Sequence, residues 1–187
     1  MFGWLKAGSG GARARLSSWH LAWRAALEAP DETRLDALES QLEALGLAAD
    51  DTEIEREMLV GLRELLALRA AVDTTGLPVV ETGHRAIGRD VCHFSAPASM
   101  PDDAAQPSGR LLLAGNRAVF VGGARSTTVP WHAVAETRHA DRDVVLIRRD
   151  RQDLYRFRCN SFADAICGAF LAQRLTRQSQ TTRRSSS

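Results

Sequence analysis

The sequence predicts an α+β fold: a helical front half, then seven short antiparallel strands and one closing C-terminal helix. Three observations carry that reading. Before position 77, apolar residues recur at three and four, the period of one helix face. From about residue 91 the pattern changes to short apolar, β-branched and aromatic runs punctuated by Gly, Asn, Asp and Pro. After residue 161 the helical period returns.

In the front half, Leu16, Trp19, Trp23 and Leu27 share a helical face between Arg13 and Leu27, and Pro30 interrupts. From Asp31 to Leu45, Leu35, Leu38, Leu42 and Leu45 form a stripe bordered by Asp36, Glu39 and Glu43, and Gly46 is a natural stop. Thr52 with Glu55 reads as a capping box opening a third helix. That helix carries Ile54, Met58, Leu62, Leu65 and Leu66 and ends before Gly76-Leu77-Pro78.

The β half centres on Gly109–Gly123, GRLLLAGNRAVFVGG. Leu111–Leu113 and Val119–Val121 are strand-forming runs joined by the turn residues Gly115-Asn116. Upstream, Val91–Ala96 supplies a strand before a Pro-rich loop, Pro97–Ser108. Downstream come Ser126–Pro130, Trp131–Arg138, Val144–Ile147 and Tyr155–Cys159. Seven short strands with hairpin-length turns predict an antiparallel sandwich or barrel. In the last strand Tyr155, Phe157 and Cys159 share a face, expected to turn inward onto Phe162, Ile166 and Phe170 of the final helix. Ser161 is placed to cap that helix. The chain therefore divides into a flexible N-terminus (1–12), a helical segment (13–77), a β domain with its C-terminal helix (78–177) and a polar tail, 178–187, read as disordered.

Seven strands closed by one helix resemble the pleckstrin-homology-like (PH-like) superfold. The phrase GRLLLAGNRAVFVGG followed by TVPWHAVAE is similar to its GRAM and bacterial PH-like subset: a Gly-x-Leu-x-Leu strand, a turn, an Arg-x-x-Phe strand and an apolar-Pro-Trp strand. The resemblance spans roughly 89–176 and brings no catalytic motif. It implies binding to membranes or to protein partners. Phosphoinositide-binding relatives place basic residues on and between the first two strands, where this chain has PASMPDDAAQPSG, with Asp102 and Asp103 and no Lys or Arg.

The formal net charge is +1, so no global field points to nucleic acid or membrane. The halves nevertheless oppose each other: residues 1–77 hold 8 basic and 13 acidic residues, net −5, and residues 78–187 hold 16 and 10, net +6. Three cysteines, Cys92, Cys159 and Cys167, without a CxxC pair fit a reducing, cytoplasmic setting. MFGWLKAGSGG has no apolar core of signal or membrane-span length. His84, Cys92 and His93 do not match paired metal-ligand spacing, and adjacent strand residues 92 and 93 point to opposite faces. No nucleophile elbow or P-loop is present, so the sequence assigns no catalytic, metal or cofactor residues and no small-molecule substrate. Nucleic-acid binding is set aside because Asp143, Asp150 and Asp153 interleave the arginines.

What remains is a non-enzymatic scaffold or regulatory module acting through protein contacts. Peripheral membrane association through the arginine-bearing sheet, with Phe2 and Trp4, stands second. Counting back from a turn at Asp150–Asp153 sets Arg149 opposite Leu154, Ile147 opposite Arg156 and Val145 opposite Arg158. The candidate binding residues are therefore Arg149, Arg156, Arg158, Val145 and Ile147. The Leu35/Leu38/Leu42 stripe is the expected cover for that face.

Overall fold

Four helices and seven strands follow one another in a computed structural model that describes residues 8–123, 126–150 and 154–184. The helices are α1 (Gly8–Glu28), α2 (Glu32–Ala44), α3 (Glu53–Thr75) and α4 (Phe162–Arg184). The strands are β1 (Cys92–Ser99), β2 (Ser108–Ala114), β3 (Arg117–Gly122), β4 (Ser126–Pro130), β5 (Val134–Ala140), β6 (Asp143–Arg148) and β7 (Leu154–Cys159). They form one antiparallel sheet in the order β4-β3-β2-β1-β7-β6-β5. No ladder joins β4 to β5 among the described residues, so the sheet wraps one core without hydrogen-bonded closure into a barrel. Its inner face buries Leu111, Leu113, Phe120, Leu146 and Phe157, with Phe120 and Phe157 stacked at 5.9 Å.

Several boundaries differ from expectation for identifiable reasons. α1 starts at Gly8 rather than Arg13, while residues 1–7 lie outside the described residues. β1 runs through Pro97, which the sequence reading placed in a loop. Proline is tolerated there because β1 pairs with β7 only at Ala98 and Ser99, so the missing N–H breaks no ladder on that side. Trp131 opens a short 3-10 turn rather than a strand, and its indole is buried, donating to the Ala114 carbonyl at 2.8 Å. The tail is helical as far as Arg184, since no Gly or Pro follows Gly168 to stop α4.

Of the two caps expected from sequence, the one at Ser161 forms and the one at Thr52 does not, and Asp31 is a cap that the sequence analysis did not name. Asp31 accepts from Arg34 N at 2.8 Å at the start of α2, and Ser161 accepts from Asp164 N at 3.0 Å at the start of α4. Thr52 does not cap α3 through its side chain: its hydroxyl donates back toward the Ala48 and Ala49 carbonyls in a 3-10 turn. Its supposed box partner Glu55 is buried against His20, 2.8 Å away.

The N-terminal helices form a second core with α4. Trp19 and Trp23 of α1 are buried and donate to main-chain carbonyls of α2 and α3, at Leu38 (2.9 Å) and Met58 (3.0 Å). Leu35, Leu38 and Leu42 join these tryptophans, not the sheet, which corrects the expected cover. The halves meet through α4 instead. Phe162 and Ile166 turn toward α1 and α3, while Ala165, Ala172 and Leu175 turn toward the sheet. Phe157 and Cys159 do point inward, Tyr155 stacks on Phe157 and Phe170 packs against their core, as expected, beside the face of Ala165, Ala172 and Leu175. Phe162 and Ile166 therefore do not cover the sheet. One stripe read from sequence was in fact one of two buried faces.

Both approaches to α4 use glycine. A Cβ on Gly168 would stand 3.1 Å from the Phe94 ring, and one on Gly61 of α3 would stand 3.2 Å from Ala163 N. Glu57 of α3 completes the junction by accepting from Phe162 N at 2.9 Å, and it pairs with Arg142. Arg174–Asp73 is a second ion pair across it, consistent with the opposite charges of the halves.

A third, small core lies on the outer face of β2 and β3. Leu112 and Val119 point out there and are covered by Val80 and Ile87 of the segment between α3 and β1. That segment is tied down by Arg117, which donates to the Ala86 and Ile87 carbonyls at 3.1 Å.

Candidate functional site

The β6–β7 hairpin places Val145, Ile147, Arg156 and Arg158 on one face, as expected, but with different partners. Val145 faces Arg156, Ile147 faces Leu154 and Asp143 faces Arg158. The register differs by two residues because β6–β7 pairing stops at Ile147–Leu154, with 149–153 between the strands. A two-residue offset keeps every side chain on its face while changing what it meets.

That offset neutralises the arginines. Asp143 is buried and accepts from Arg158 Nε at 2.9 Å and from its terminal nitrogen at 3.3 Å. The hydrogen bond to Asp143, then its charge, raises the Arg158 pKa further. Arg156 Nε lies 3.7 Å from Asp143 and 3.5 Å from Asp102, near enough for ion pairing but without a hydrogen bond. The acidic β1–β2 loop thus reaches the same cluster. Arg149 is drawn to the start of β5, its Nε donating to the His132 carbonyl at 3.0 Å. Val145 is buried, and Leu154 is the exposed apolar residue of the group. The five candidate residues share a neighbourhood, but Arg156 and Arg158 already face carboxylates of the chain and Val145 is covered.

The remaining sequence candidates have local roles. Cys92 Sγ contacts the Phe94 carbonyl, His93 Nδ1 contacts the Pro78 carbonyl at 2.7 Å, and His84 Nδ1 accepts from Ala86 N. Among the described residues no group of three or more His, Cys, Asp or Glu is placed to hold a metal. No described helix is long and apolar enough to cross a membrane. Phe2 and Trp4 lie outside the described residues.

A cleft of about 960 Å³ opens elsewhere, between β5, α4 and the N-terminal helices. Half-buried Leu27 and Phe170 supply its apolar lining above the buried Leu65, Ile166 and Ala169, and Arg24, Arg69, Arg138, Arg174 and Arg177 its cations. Glu28, Glu136 and Asp141 are its acids. Arg138 is committed to Glu136 at 3.0 Å and Arg174 to Asp73 at 3.3 Å. The guanidinium carbons of Arg69 and Arg174 lie 6.0 and 5.2 Å from the Phe170 ring centroid, within cation–π range. His139 sits edge-on to Trp23 at 5.9 Å and donates from Nε2 to the Asp141 carbonyl at 2.6 Å. Burial lowers its pKa, so the ring is neutral at pH 7.

β5 contributes six consecutive residues, Glu136 to Asp141 including the turn residue, to this lining. Side chains alternate across a strand, so six in a row line a cleft only where it follows the strand's open edge. Sequence reasoning missed the site because its residues come from α1, α3, β5 and α4.

No protein-family model matches the chain, and no curated protein matches it. Solved structures do resemble it. The C-terminal domain of an unknown protein from Leishmania infantum is 9% identical with a TM-score of 0.39, over 59% of this chain and 94% of that one. The linker-DH/PH domains of p115-RhoGEF are 10% identical with a TM-score of 0.41, over 89% of this chain and 55% of that one. The DH/PH fragment of PDZRHOGEF in complex with human RhoA is 12% identical with a TM-score of 0.42, over 90% and 54%. The chain thus spans about half the length of the DH/PH chains. At these scores none of these neighbours carries an argument, and the architecture rests on the strand order and the placement of α4.

Proposed function

We propose that this chain is a non-enzymatic regulatory or scaffolding module of the cytoplasm that works through protein contacts, and that the β5–α4 cleft is the contact site. The supporting observation is the cleft itself. It joins an open strand edge, an apolar lining and several arginines, the ingredients of a peptide or protein contact. On the β6–β7 face, by contrast, Arg158 is hydrogen-bonded to Asp143 and Arg156 lies within ion-pair range of Asp102 and Asp143.

A photo-crosslinking amino acid at Gln173, an exposed cleft residue, tests this in the native cell against the same group at Ser40, exposed on α2. Protein adducts at Gln173 and not at Ser40 are expected. No adducts at Gln173, or adducts equal to those at Ser40, contradict the reading.

A further inference from the structure

We propose that the occupant of this cleft is an acidic peptide segment, bound in extended form as an added strand on the open edge of β5; this rests on the protein-contact reading above and names the partner's chemistry. The edge is available. Apart from its ladder to β6 and the bond from Val134 N to the Trp131 carbonyl at its start, β5 makes no backbone–backbone hydrogen bond among the described residues. Its seven residues, at about 3.3 Å each, offer roughly 20 Å of edge, enough for a five- or six-residue partner strand. No proline interrupts it, whereas β4, the sheet's other edge, has five residues and ends at Pro130.

Shape selects a strand. A bound helix satisfies its backbone internally and leaves the N–H and C=O groups of the β5 edge unpaired, while an added strand pairs them and sets alternate side chains toward the apolar lining. Charge selects acid. Arg24, Arg69 and Arg177 come from three different helices, and none has a carboxylate partner among the described residues. Outside the cleft, Arg142 and Arg158 are paired with Glu57 and Asp143. An acidic strand would supply the missing counter-charges. Two of these arginines belong to the N-terminal helices, so the receptor is complete only with the helical half docked.

The test uses the full chain as bait for a displayed library of random twelve-residue peptides near physiological salt, followed by fluorescence anisotropy of the enriched sequences. Enriched peptides should carry net negative charge and bind more weakly as salt rises. Their affinity should fall about tenfold or more in the Arg24→Gln/Arg177→Gln double variant, whose fold is checked by circular dichroism. It should be unchanged in Arg85→Gln/Arg89→Gln, which alters exposed cations of the covering segment. Bound peptide should also slow hydrogen exchange at β5 amides. Enrichment of neutral or basic peptides, no enrichment, indifference to the double variant, or binding without β5 protection each overturns the proposal. If Gln173 captures a partner in cells while acidic peptides fail, the protein-contact reading survives and the acidic-strand occupant does not.

Discussion

Gly61 is where the junction between helices and sheet domain is most exposed to a single atom. In an isolated helix, Gly61→Ala would gain about 1 kcal/mol of helix propensity. Here the new Cβ would stand 2.9 Å from Ile166 Cδ1, 3.2 Å from Ala163 N and 3.3 Å from Phe162 C. The first neighbour is a flexible side-chain end that can swing away. The other two are α4 backbone, which moves only if the helix shifts. Overpacking of this kind costs about 1–3 kcal/mol, so the sum for Ala is a loss of about 0–2 kcal/mol. Gly61→Val forgoes most of the propensity gain and adds two more methyl groups at the contact, so its loss should approach about 3 kcal/mol. Urea unfolding followed by tryptophan fluorescence reads both cores, since Trp19 and Trp23 lie among the helices and Trp131 under the sheet. Both variants should move the midpoint down in the order Ala then Val. An Ala variant more stable by the full 1 kcal/mol would show that α3 and α4 do not approach as closely as described.

Further perturbations probe other parts of the molecule. Phe157→Ala, removing a ring with no solvent exposure, should cost about 3–5 kcal/mol in the same unfolding assay. Burial pushes the Cys159 and Cys167 thiols up to about 12 and also raises Cys92, so a thiol reagent at pH 8 should label none of the three until the protein is unfolded. His139 is held below its ordinary 6.5 by burial, so the unfolded chain binds the extra proton first; stability should be full above pH 6.5 and fall as the pH drops through the folded-state value. His139→Gln should flatten that acid-side loss. Because Asp102 and Asp143 already neutralise Arg156 and Arg158, phosphoinositide liposomes should bind no better than other anionic liposomes of equal charge. Headgroup-selective, saturable binding in co-sedimentation would contradict that.

The elements were legible because each carried its own period. Four helices and seven strands follow from threes and fours, then alternation, then threes and fours again. Relations between distant elements were less legible. The β6–β7 register depended on where pairing stops before a five-residue connection, and two residues of offset changed the partners of Val145 and Arg158. The role of α4 was half visible: Phe162 and Ile166 announce one face, but Ala165, Gly168 and Ala172, which let the sheet approach, carry little hydrophobic signal. The cleft was not legible at all. Arg24, Arg69 and Arg177 become neighbours only after α1 and α3 dock on α4, and that docking is long-range in sequence.

Native-state hydrogen exchange on the intact chain tests this arrangement most directly. If α4 fuses the helices and the sheet into one unit, the slowest amides of α3, α4 and the central strands β1 and β2 should share one opening free energy, and Gly61→Val should lower them together. Amides of α3 that open at distinctly lower free energy than the strands, with the strands untouched by Gly61→Val, would show two independent units and leave the composite cleft without its walls.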